Sequence, residues 1–141
     1  MKLTRALPVL AALAIAAVSG LSPMRAESSS PASGDYTVDQ AVDGAMQYVT
    51  KCSSCHGATL RGPAGPALIG NAFTSQWTGE AAEDVYAMMS KNMPLGAPGS
   101  LKSEDYLAIM AFILQQNKFP AGNTPLTEAK LKTIKLVARK N

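Results

Sequence analysis

Both cysteines and the only histidine of this 141-residue chain fall within five consecutive positions, Cys52-Ser53-Ser54-Cys55-His56. That grouping constrains the fold more than any hydrophobic stretch does, because it is the pattern of c-type haem attachment. Two thiols add across the two vinyl groups of one haem, and an imidazole one position later reaches the iron from the same turn of chain. The polypeptide must then wrap around a large, permanently held group. Three other readings are weaker. A thioredoxin-type redox disulfide wants a strand-to-helix junction in a βαβ setting, and no β-rich run precedes Cys52. A structural zinc site takes about four ligands, and two thiols plus one imidazole fall short. A pair of ordinary core cysteines leaves the adjacent histidine unexplained.

The N-terminus sets the compartment in which such a bond is made. Lys2 and Arg5 precede an apolar, Ala-rich run from Ala6 to Val18, and small residues follow, the pattern of a secretory signal peptide. The run is shorter than the roughly 20 residues that cross a bilayer, so no stable membrane insertion is expected after cleavage. Cleavage is placed after Ala26, with Gly20 as the other option, and a periplasmic location follows. Removing residues 1–26 deletes Lys2, Arg5 and Arg25, three of the 13 basic residues, and none of the 10 acidic ones. The mature charges then balance, so the formal +3 belongs to the leader and gives no argument for nucleic-acid binding. What remains is an asymmetry, with acids in excess before residue 106 and Glu128 alone among the bases after it, a dipole able to orient a charged partner.

Residues 27–36 are Ser- and Pro-rich and read as a flexible lead-in. Thr37-Val38-Asp39-Gln40 fits a capping box. Val38, Ala41, Val42, Ala45, Val49 and Cys52 recur at helical spacing, so a first helix delivers its last turn to the haem motif. Gly44 inside that helix costs about 1 kcal/mol relative to alanine, repaid if another helix crosses closely there. From Gly57 to Gly70 the run is too rich in Gly and Pro for a helix, so it forms a loop over one haem face. Pro66 or Pro63 within it offers a carbonyl to the second ring nitrogen of His56. Phe73 and Trp77, at i and i+4, share a face. Both suit core packing, while Trp77 has the alternative of donating its indole N–H to a haem propionate, a role Arg61 can share. Ala82 to Lys91 forms another helix, stopped at Asn92, and Ser103 is the expected N-cap of a helix over Tyr106 to Gln116 that is apolar nearly all round. The last segment, 126–141, is basic and reads as a short helix followed by an extended strap packed on a domain spanning 37–125.

With His56 spent on one side of the iron, a second histidine from this chain is excluded. Of the seven methionines, Met1 and Met24 lie in the leader and Met46 is too near the motif to reach the opposite face. Met88, Met89 and Met110 sit at core-like helix positions. Met93 remains, in a Pro/Gly loop, and a thioether there is a soft neutral ligand that favours reduced iron. Pro94 restrains it.

Taken together, the Cys52–His56 motif, Gly65-Pro66-Ala67-Leu68 and Met93-Pro94, in this order, resemble a class I c-type cytochrome with one haem. The resemblance covers Thr37 to Asn117. It implies an all-α fold, the cytochrome c fold of three to five helices around one haem c attached through Cys52 and Cys55, with His56 and Met93 as iron ligands. It also implies that Gly44 and Tyr48 on the first helix meet Ile109 and Phe112 on the last. The strings MPLGAPGSL and NKFPAG are similar to those of small periplasmic cytochromes serving quinoprotein alcohol dehydrogenases. The function so implied is that of a monomeric one-electron carrier, not an enzyme, with a quinoprotein dehydrogenase as donor and an oxidase or another cytochrome as acceptor. Two alternatives stand beside it: a permanently bound haem subunit of a larger dehydrogenase or oxidase, and a haem enzyme or gas-binding protein with an open iron site.

Overall fold

The computed structural model describes residues 34–138, so the expected signal peptide (1–26), residues 27–33 of the expected lead-in and the final three residues lie outside the described part. Six helical segments follow one another: α1 (Val38–Lys51), α2 (Ser53–His56), α3 (Gly70–Gln76), α4 (Ala82–Asn92), α5 (Ser103–Gln116) and α6 (Glu128–Leu131). Of these, α2 and α6 are single turns of four residues, so the expected three to five helices correspond to four longer ones and two turns. The only strand-like pairings among the described residues are two isolated bridges, Tyr36 with Ala121 and Ala81 with Lys135.

The frame is the crossing of α1 and α5, and Gly44 makes it possible. A Cβ placed there would lie 1.8 Å from the Ala108 carbonyl oxygen and 3.0 Å from the Ile109 nitrogen, so only glycine lets the two backbones approach. One turn along, the Tyr48 and Phe112 rings pack with centroids 5.3 Å apart and tilted by 51°, a geometry favoured by the ring quadrupoles. The close crossing offsets the helix propensity that Gly44 forfeits.

The buried face of α1 is Ala41, Gly44 and Tyr48. The valines that gave the helix its period face outward instead: Val38, Val42 and Val49 are 54%, 53% and 63% exposed, and Met46 joins them at 60%. Ala41 and Gly44 take the inner face where α5 lies closest, and Tyr48 packs on Phe112 one turn further along. The N-terminal box is half made. Thr37 Oγ1 accepts from the Gln40 backbone N–H at 3.2 Å, but the Gln40 side chain turns away to pair with both backbone groups of Leu126, at 2.7 and 3.0 Å.

The lead-in is firmer at its end than its composition predicts. Tyr36 is buried and donates to the Phe119 carbonyl at 2.7 Å, and Asp35 N–H donates to the Pro120 carbonyl at 3.0 Å. A buried tyrosine ring and these backbone pairs make 34–36 part of the folded unit. The C-terminal segment likewise enters the core. Leu126, Leu131, Ile134 and Leu136 are all buried, and burial of each such side chain contributes about 1.5–3 kcal/mol. Beyond α6 the strap pairs with the lead into α4, through Ala82 N–H to the Ile134 carbonyl and Leu136 N–H to the Glu80 carbonyl.

Ser103 is not the cap of α5. Lys102 occupies that position without a side-chain bond, and the Ser103 hydroxyl is used elsewhere. At α4 the cap is made from inside the helix: Asp84 Oδ2 accepts from the Ala81 N–H at 3.0 Å, placing a carboxylate at the positive end of the helix dipole.

Candidate functional site

The Cys52–His56 motif begins where α1 ends. Cys52 closes α1 and opens the turn α2, whose last residue is His56, so the two thiols and the imidazole are presented within one compact bend. The Tyr48 hydroxyl donates to the Gly57 carbonyl at 2.6 Å and fixes that bend to α1. His56 is 9% exposed. Its Nδ1 lies 2.8 Å from the Pro66 carbonyl oxygen. A carbonyl has no proton to give, so Nδ1 carries the hydrogen and Nε2 keeps its lone pair for a metal. Of the two prolines considered, Pro66 therefore makes the bond.

The loop after His56 is shaped to the ring. A Cβ at Gly65 would fall 2.8 Å from both Cε1 and Nδ1 of His56, so a glycine is needed for the loop to lie against the imidazole. Leu68 N–H donates to the Leu60 carbonyl at 2.7 Å, closing the loop at its base.

Cys52, Cys55, His56, Pro66, Trp77 and Met93 all line one cavity of about 420 Å³, together with Leu68, Val85, Ile109 and Ile113. That volume lies within the range of about 300–1,000 Å³ typical of ligand sites, and the walls are mostly apolar. Burial pushes the Cys52 thiol up to about 11. Burial, with Cys52 beside it, pushes the Tyr48 hydroxyl up to about 12. Both shifts are those of groups whose charged forms are poorly solvated.

The donor set fits a covalently held haem. Two free thiols stand on the rim of an apolar cavity, and an imidazole with one nitrogen bonded to a carbonyl and a thioether stand on its wall. Cys52 and Cys55 would carry the thioether links, and His56 Nε2 and a methionine sulfur would complete the iron.

Arg61 is the site residue that the structure does not bring in. It is exposed and lies outside the cavity wall. Leu60 occupies the buried position of that turn, and the Gly62 N–H is tied back to the His56 carbonyl, so Arg61 is left on the outer side. Trp77 is half-buried on the wall, just after α3, while Phe73 is fully buried in the core.

The sequence of residues 39–113, just over half the chain, matches the family described as cytochrome c oxidase, cbb3-type, subunit III. The chain belongs to this cytochrome c family. Among solved structures it is similar to a chain of the sulfane dehydrogenase SoxCD from Paracoccus pantotrophus, with 25% identity and a TM-score of 0.57. The similarity covers 68% of this chain and 52% of that one, so this chain spans about half the length of its structural neighbour. A search of the curated proteins found no match.

The protein is thus a class I c-type cytochrome with an all-α fold. Sequence reasoning missed several parts of this cytochrome's site. Met88 and Met89, assigned to helix packing, both line the cavity. Their spacing was indistinguishable from that of core methionines, and only the placement of α4 against the cavity separates the two uses. Tyr106 was read as one more apolar position of α5, yet its hydroxyl donates to the Met93 carbonyl at 2.7 Å. Asn117, at the end of α5, bonds to the loop on the histidine side.

Proposed function

We propose that this cytochrome is a periplasmic one-electron carrier with a single haem c held by Cys52 and Cys55 and ligated by His56 and Met93. The observation that carries the proposal is that His56 and Met93, from separate elements, face one apolar cavity beside both cysteines. The bound haem would supply an iron that alternates between ferrous and ferric states. The chain's own residues do the rest. Pro66 fixes the His56 tautomer and raises its basicity. Tyr106 anchors the Met93 backbone. Val85, Ile109 and Ile113 keep water from the site, and Trp77, half-buried on the wall, is placed to donate its N–H to a haem propionate.

Of the three methionines on the wall, Met93 is preferred because it sits in a loop fixed at its carbonyl, whereas Met88 and Met89 belong to the rigid helix α4. The donor proposed is a quinoprotein alcohol dehydrogenase, on the strings MPLGAPGSL and NKFPAG, and the acceptor an oxidase or another cytochrome. Encounters of this kind use small, weak interfaces. Stopped-flow mixing of the oxidised cytochrome with a reduced quinoprotein alcohol dehydrogenase tests the pair. Rapid reduction supports the assignment, and no reduction beyond that by a sulfane dehydrogenase refutes it.

A second reading, a permanently bound haem subunit, is favoured by the outward stripe Val38, Val42, Met46 and Val49 on α1. An apolar stripe of that extent suits a lasting contact better than a brief one. The similarity to a chain of a dehydrogenase complex points the same way. Gel filtration of native extract separates the two: a carrier elutes near its own mass, and a bound subunit with its complex.

A further inference from the structure

Asn117 is 7% exposed and closes α5 on the histidine side of the cavity. Its side chain is fully engaged. Nδ2 donates to the Leu68 carbonyl at 2.9 Å and to the Ile113 carbonyl at 2.9 Å, and Oδ1 accepts from the Gly70 N–H at 3.1 Å. One amide therefore grips both ends of Leu68–Gly70 and fastens them to the helix that crosses α1. Leu68 lies two residues after Pro66, whose carbonyl holds His56 Nδ1.

From Leu68 to Gly70 the backbone has little freedom. Leu68 is bonded on its N–H side to Leu60 and on its carbonyl side to Asn117, so both of its backbone groups are fixed. Pro66 itself has no N–H to anchor. Its carbonyl is placed from both sides: before it the Gly65 N–H donates to the Cys55 carbonyl at 2.7 Å, and after it 68–70 is held by Leu60 and, through the three bonds of its amide, by Asn117.

We propose that Asn117 is a positioning residue that tunes the iron ligand: by holding 68–70 against α5 it keeps the Pro66 carbonyl in register with His56 Nδ1. The inference rests on the reading of His56 as an iron ligand. A well-made Nδ1–H bond gives the imidazole partial anionic character and stabilises ferric iron, so loosening it favours the ferrous form.

The test uses holoprotein carrying Asn117→Leu, which keeps the volume and removes all three bonds, and Asn117→Ala as a second variant should the first fold poorly. Leu126→Ala, in the core beyond the site, serves as the control for a general loss of stability. The wild-type protein is first checked for covalent haem and for the thioether-to-iron absorption band. Their absence would sink the functional reading itself, independently of Asn117.

With both present, each Asn117 variant is expected to raise the reduction potential. The shift corresponds to about a three- to tenfold change in the ferric to ferrous equilibrium, tenfold being about 59 mV for one electron. The His56 Nδ1 proton is also expected to exchange faster with solvent by NMR, while Leu126→Ala moves neither quantity. A potential and an exchange rate in both Asn117 variants equal to those of Leu126→Ala would overturn the proposal.

Discussion

The Tyr106 hydroxyl donates to the backbone carbonyl of Met93 at 2.7 Å, joining the first turns of α5 to the loop that carries the thioether. The ring is itself held edge-on by Tyr86 of α4, with centroids 6.5 Å apart. Because the bond is to backbone, it fixes the path of the loop and leaves the methionine side chain free to reach inward. Tyr106→Phe keeps the ring and removes the bond. A net loss of about 0.5–1.5 kcal/mol is expected, read as a lower denaturant midpoint for disappearance of the thioether band, with the midpoint for helix loss changing less. Equal midpoints in the variant and the wild type would show that the bond does not hold the loop.

Met93→Ala is expected to abolish the thioether band and to let the reduced protein bind carbon monoxide rapidly. Met88→Leu and Met89→Leu, which keep the cavity wall apolar, should retain the band and exclude carbon monoxide. Loss of the band in either helix variant, with Met93→Ala unaffected, would move the ligand to α4. Rapid carbon monoxide binding by the wild type would favour a gas-binding or enzymatic role.

Gly44→Ala would force a methyl group to within 1.8 Å of the Ala108 carbonyl oxygen, which is backbone and has nowhere to yield. Overpacking of this kind costs about 1–3 kcal/mol or more, against a gain of about 1 kcal/mol in helix propensity. The net expectation is a clearly lower melting temperature by calorimetry. A variant as stable as the wild type would mean that α1 and α5 cross less closely.

Glu128 ties the C-terminal segment to both stems of the methionine loop. Its Oε1 accepts from the Tyr86 hydroxyl at 3.0 Å and the Ser103 hydroxyl at 2.8 Å, and these bonds hold its carboxyl below the ordinary carboxylate value of 4.5. A group whose folded value is depressed adds stability in full above the unfolded value, and that contribution is lost as pH falls through the folded one. Glu128→Gln should therefore be less stable than the wild type at neutral pH, with the difference shrinking as pH falls below 4.5 and vanishing once it has passed through the depressed folded value. A difference that persists at low pH would assign the effect to shape and not to charge.

How far the sequence reached depended on whether a residue's role was local. Cys52, Cys55 and His56 were legible because covalent attachment and ligation demand fixed spacing within one turn of chain. Gly44 was readable as a close crossing only through the family resemblance, because a mid-helix glycine fits an exposed position as well as a crossing. The outward stripe on α1 was not: its period matched a buried face, and only the closeness of α5 showed that small residues occupy the inside. The outward placement of Arg61 was hidden for a related reason, since composition cannot say which side of a tight turn a residue takes. Tyr106, Asn117 and Glu128 act through partners 13, 49 and 42 residues away. Pairings over such distances are made by the fold, and no local pattern announces them.

Intact-mass spectrometry of the exported, mature polypeptide tests the central claim most directly. A single species heavier than the polypeptide by one haem, and unchanged by denaturation, is predicted from thioether links at Cys52 and Cys55. A protein with the bare polypeptide mass and two alkylatable thiols would contradict the account.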